Sequence, residues 1–168
     1  MILTFDEACE RVDARQAYLD SICLDGTAIS EVSYVYGKPY DHFTPDGWSY
    51  LIAKTLPTRA IQVFLHAFEK GDTHRREDDF LSTILDHEGF HVNTIAEHPR
   101  SEVVFSFLDN IYVDYEISSE EVLAYEHQLS NPFRRNLSLE YVVLIRSNLE
   151  RYRKLNRQHR NRLEGLKK

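Results

Sequence analysis

The chain has 168 residues, 42% of them hydrophobic and 12% aromatic, which suits one folded domain with its own core and excludes a disordered chain. No apolar run approaches the about 20 residues of a membrane span, and Met1 to Glu7 lacks the basic start and apolar core of a signal peptide, so a cytoplasmic chain is expected. The net charge of −7 is unevenly divided: residues 1–145 carry 11 Lys and Arg against 25 Asp and Glu, while residues 146–168 carry 9 against 2. The acidic body should repel nucleic acid, and the basic tail should attract an acidic partner or pack on its own acidic body.

In chain order, Thr4 and Glu7 form a capping box, and Phe5, Cys9, Val12, Leu19 and Cys23 supply the apolar stripe of a first helix from about Phe5 to Leu24. Along that helix the two cysteines stand about 21 Å apart, too far for a disulfide, which fits a reducing compartment. Ile29, Val32, Tyr34 and Tyr36 predict a strand that ends at Gly37-Lys38-Pro39. The turn residues from Pro39 to Gly47 read as a loop, and Trp48 to Ala53 as a second strand. Ala60 to Phe68 alternates imperfectly and fits either a strand or a short helix. Glu77, Asp78 and Asp79 favour a helix start, Phe80, Leu81, Ile84, Leu85, Phe90, Val92 and Ile95 continue its apolar stripe, and Pro99 ends it.

Residues 101–117 fit both a hairpin turning at Asp109-Asn110 and a helix with Val104, Leu108, Ile111 and Tyr115 on one side; helix is the reading taken. A separate helix over 119–129 is predicted from Ser118 as cap, Glu121 completing a capping box, and Ile117 with Val122 as the hydrophobic staple. Asn131-Pro132 closes it. The last helix starts near Ser138 and turns strongly basic, giving a domain over 1–145 and a basic helical extension over 146–168.

The narrowest chemical signal is His87-Glu88-Gly89-Phe90-His91. On a helix the two histidines lie about 6 Å apart along the axis and about 40° apart around it, so two ring nitrogens can reach one metal ion. Glu88 then sits beside them as a base. With 8 His and 15 Glu in the chain, a chance match is expected about 0.03 times. Gly89 inside the helix costs up to about 1 kcal/mol against Ala and fits either the close approach of another backbone or a tolerated defect. A catalytic zinc usually takes three protein ligands, and the candidates downstream are Glu97, His98, Glu116, Glu120, Glu121 and His127. The run Ser119 to Tyr125 is the best placed, being helical and about 30 residues past His91.

At these two segments, roughly 80–96 and 118–129, the chain resembles the zincin metallopeptidases, in particular the compact gluzincins. That family pairs a His-Glu-x-x-His helix with a Glu on a later helix, often followed three residues on by Ala. The resemblance makes His87, His91 and Glu121 (with Ala124 after it) the zinc ligands and Glu88 the catalytic carboxylate. The pattern departs at Tyr125, where many gluzincins carry an Asp that orients a ligand histidine, and at Asn93, usually apolar. The metzincin extension is absent, with Thr94 and Glu97 in place of its Gly and third His.

The expectation is therefore an α+β, single zincin-like domain with a small sheet, a histidine helix, a glutamate helix and a long C-terminal helix. It would act as a Zn2+-dependent peptidase on a protein or peptide. Two other classes compete. One is an inactive zincin-like interaction protein that docks a partner through the basic C-terminal helix. The other is a di-iron bundle, which shares Glu88-x-x-His91 but needs a second Glu-x-x-His that the chain lacks.

Overall fold

In a computed structural model describing residues 29–37, 40–44, 47–64, 66, 76–97, 107–132 and 134–166, the β-branched and aromatic stretches of the first half pair as strands. These are β1 (Glu31–Val35), β2 (Tyr40–Thr44), β3 (Gly47–Tyr50), β4 (Ala53–Thr55) and β5 (Ala60–Phe64). One sheet has the order β1-β5-β4, with β1 parallel and β4 antiparallel to β5; β2 and β3 form a separate antiparallel pair. The expected first helix with Cys9 and Cys23 lies outside the described residues.

Three local expectations change. The 39–47 loop contains strand β2: Pro39, Pro45 and Gly47 stand at its edges, Asp41 falls where the pairing shifts register between Tyr40 and His42, and Phe43 pairs with Trp48. The strand expected over Trp48 to Ala53 is split, with Tyr50 ending β3 and Ala53 beginning β4 in the other sheet. The ambiguous 60–68 segment is a strand over Ala60–Phe64. Its imperfect alternation has a reason: β5 is the central strand, and Ala60, Ile61, Val63 and Phe64 are all buried.

The β4–β5 turn fixes the edge of this sheet. The Arg59 amide donates to the Leu56 carbonyl and the Leu56 amide to the Ala60 carbonyl, both at 2.8 Å. Pro57 presets the first turn position, and Arg59 takes a left-handed φ of 68° in the manner of a three-residue hairpin loop with a bulge.

The helical half begins with α1 (Glu77–Leu81), followed without interruption by a π-helical stretch, Ser82–Glu88, and α2 (Gly89–Glu97). The Thr83 hydroxyl bonds back to the Asp79 carbonyl at 3.2 Å, competing for it where the helix widens. The π stretch was not legible in the sequence. Its wider turn puts Ser82, Thr83, Ile84, Asp86, His87 and Glu88 all inside. Among the described residues, a methyl group at Gly89 would meet only the Ile84 carbonyl at 3.5 Å, an ordinary contact, and none of them brings a second backbone close to this glycine. Phe80, Leu81, Ile84 and Val92 pack on Val32, Ala53, Ile61 and Val63 to form the core between helix and sheet.

Two long helices complete the α+β architecture: α3 (Phe107–Leu129) and α4 (Leu139–Leu166), packed along one another. The helical reading of 101–117 is right for the residues described, but α3 runs unbroken through the expected cap. Ser118 lies mid-helix and donates to the Tyr115 carbonyl at 3.0 Å, so Glu121 is no capping-box residue. Ser138 does cap α4, its hydroxyl accepting the Tyr141 amide at 3.2 Å.

A buried polar seam fastens this pair to the histidine helix. Asp79, fully buried, accepts the Ser138 amide at 2.8 Å and the Ser138 hydroxyl at 2.6 Å. Gln128 donates to the Tyr141 hydroxyl at 2.7 Å, and that hydroxyl lies 2.6 Å from Thr83. Burial pushes the Tyr141 phenol up, so it stays protonated and donates onward to Thr83. On the outer face Arg153 bridges Glu126 of α3 at 2.9 Å and Glu150 at 2.6 Å, so part of the basic tail's charge meets acid within its own domain. No helix among the described residues is long and apolar enough to cross a membrane.

Candidate metal centre

The end of the π stretch delivers His87, and the first turn of α2 delivers His91, with their ring centroids 5.0 Å apart. α3 passes alongside and brings Glu121. One ligand atom from each of His87, His91 and Glu121 lies within 4.8 Å of the others, and both histidines are buried. His87 Nε2 stands 3.5 Å from one Glu121 oxygen, and His91 Nε2 stands 3.4 Å from the other.

A charge-assisted hydrogen bond would draw nitrogen and oxygen to about 2.7–2.9 Å. Two ligands at about 2.0–2.1 Å from one tetrahedral ion stand about 3.3–3.4 Å apart. Both Glu121 contacts are longer than the first spacing, each histidine faces a different carboxylate oxygen, and two imidazoles with one carboxylate are a donor set that zinc takes. The residues present therefore fit the ion that the sequence pattern implies.

His91 is held at both ring nitrogens. Glu120 accepts from Nδ1 at 2.6 Å, a direct charge-assisted bond. In the neutral ring that bond keeps the proton on Nδ1, so Nε2, on the side of Glu121 and His87, is the nitrogen left for a metal. Consecutive glutamates on one helix thus have different partners on one ring. Burial alone would lower the His91 pKa, but the Glu120 and Glu121 carboxylates outweigh it and push it up to about 10. Burial would likewise raise the Glu121 carboxyl, and the His87 and His91 imidazoles beside it hold it well below the usual range instead.

His87 is held differently. Tyr125, at the position where gluzincins often carry an Asp, places its ring 4.2 Å from the His87 ring, and His87 Nδ1 is buried with no hydrogen-bond partner among the described residues. Packing rather than a carboxylate orients this imidazole. Tyr125 in turn stacks on Tyr152 of α4 at 5.7 Å.

Glu88, 6% exposed, lies next to the triad but outside it; its carboxylate accepts the Thr55 hydroxyl of β4 at 2.7 Å. Of the other sequence candidates, Glu97 and Glu116 are exposed, His127 packs against the Phe90 ring at 5.5 Å, and His98 lies outside the described residues. Two participants had no sequence signal as such: Thr55, 33 residues upstream on a strand, and Glu120 as the partner of a ligand rather than a ligand.

Glu120→Ala is expected to weaken zinc binding by about 10- to 100-fold while the protein stays folded, measured by competition with a chromophoric chelator. Unchanged affinity would mean that the His91 ring keeps its orientation without Glu120. Compared with protein-family models, curated proteins and solved structures, the chain matches none.

Proposed function

We propose that the protein is a zinc-dependent metallopeptidase of zincin-like type, with His87, His91 and Glu121 as ligands and Glu88 as general base. The observation that carries this reading is the spacing of the three ligand groups, with both imidazoles buried and a carboxylate base beside them but outside the set. A zinc ion there would supply a Lewis acid that brings the pKa of water to about 7 and polarises a carbonyl.

The chain's own residues do the rest. Glu88 accepts the proton of the attacking water and returns it to the leaving amine. Glu120 keeps His91 in the ligating tautomer, and Tyr125 keeps the His87 ring in place. The substrate class is argued from the sheet. β4 is an edge strand, paired only with β5 among the described residues, and its last residue touches Glu88. An extended peptide adding to that edge would run its backbone past Glu88.

The test is metal analysis. Protein purified without chelators should carry about one zinc per chain, and His91→Ala should abolish it. Folded wild-type protein that holds no zinc would overturn the reading.

A further inference from the structure

Glu88 follows ligand His87 directly, so its carboxylate has two possible destinations: the metal, as a further ligand, or a place beside it, as a base. The ligand group excludes Glu88, and the structure shows what holds it aside. The Thr55 hydroxyl lies 2.7 Å from Glu88 Oε2 and 3.1 Å from the Glu88 carbonyl oxygen, so one side chain grips both the carboxylate and the backbone of this residue. A hydroxyl has one proton to give, and the carboxylate oxygen is the nearer acceptor.

Thr55 is itself rigidly placed. It is β-branched, which stiffens χ1. Its backbone is registered opposite Ile61 of the central strand, and the bonded turn from Leu56 to Ala60 follows at once. The hydroxyl position is therefore set by the sheet, independently of the helix that carries His87 and Glu88. Glu88 is placed between the ligand group and the edge strand, where a peptide adding to β4 would lie.

We infer that Thr55 is a positioning residue for Glu88: its hydroxyl holds the carboxylate out of the metal's ligand set and beside the edge strand. This rests on the metal centre proposed above. A purely structural Thr55, one that only ties sheet to helix, would depend on shape rather than on the hydroxyl.

The experiment uses the full chain loaded with cobalt(II), whose visible absorption reports coordination number and geometry. Thr55→Val keeps the shape and removes the hydroxyl; Thr55→Ser keeps the hydroxyl. Thr55→Val is expected to free Glu88 to join the ligands and to lower the visible absorption severalfold, while Thr55→Ser keeps the wild-type spectrum. In a Glu88→Ala background, Thr55→Val should change nothing, because the two effects act through one contact. If Thr55→Val fails to fold, Thr55→Ala takes its place in both backgrounds. A wild-type spectrum in the hydroxyl-free variant would overturn the inference and leave the metal centre standing. So would an equal change in Thr55→Ser, or a change that persists without Glu88. Wild-type protein that takes up no cobalt would overturn the metal centre and the inference together.

Discussion

Glu88→Gln is expected to retain about one zinc per chain and to lose peptide cleavage by about two to four orders of magnitude, the range that a positioned general base contributes. The two halves of this result test different things. Retained zinc follows from the proposed ligand group of His87, His91 and Glu121, which leaves out Glu88, whose carboxylate is engaged by Thr55. Lost cleavage follows because an amide cannot take the proton from water. Glutamine keeps the size of the side chain and an oxygen to accept the Thr55 hydroxyl, so packing is preserved. Zinc content and turnover of quenched peptides, measured on the same preparation, decide it. Loss of zinc in this variant would make Glu88 a ligand; full activity would remove it from the chemistry.

The second large effect is a dependence on pH that zinc should erase. Without metal, the pocket is held by a proton: His91, pushed up to about 10, is charged at pH 7 and sits between Glu120 and Glu121. Its folded pKa exceeds the ordinary 6.5, so the stabilisation is complete below about pH 6.5 and is lost as pH rises toward about 10. Glu121 has the opposite sign. Its folded pKa is depressed from 4.5, so its contribution is present above that value and is lost in acid. Both describe one interaction, which therefore supports the metal-free protein best between about pH 4.5 and 6.5.

As a metal ligand His91 must be neutral, so binding near pH 7 should release about one proton per zinc. Calorimetry in buffers of different ionisation enthalpy measures that release. Thermal unfolding between pH 6.5 and 10 should show a falling midpoint in chelator and a nearly flat one in excess zinc. A flat profile in chelator would mean that His91 is not charged in the metal-free pocket.

How far the site could be read from the chain depends on how local each part is. His87 and His91 are four residues apart on one helical run, so their meeting needs only helical geometry, and the structure brings them together. Glu121 is a mixed case. Its distance along the chain suited a third ligand, yet Ser118, Ile117 and Val122 imitated a helix start that would have given it a purely local task. That start does not exist, because α3 begins at least eleven residues earlier, at Phe107, and packs along α4. Glu120 lies next to it in sequence, and only the approach angle of α3 decides which glutamate reaches Nε2 and which reaches Nδ1 of His91.

Elsewhere the same distinction holds. The turn residues around Tyr40–Thr44 suggested a loop because turn chemistry is local, whereas strand pairing with Gly47–Tyr50 depends on partners. The π stretch Ser82–Glu88 has no periodic signature separate from that of an α-helix, and Thr83 within it bonds to both its own helix and a neighbour. By itself the sequence determined the helix that carries both histidines, the carboxylate beside them, and a short roll of downstream Glu and His residues as candidates to join them. Tertiary structure alone decided that Glu121 joins the two histidines, that Glu120 holds His91 from behind, and that Thr55 reaches Glu88. Each of these contacts spans about thirty residues, and its geometry is set by how helices and sheet pack rather than by any spacing along the chain.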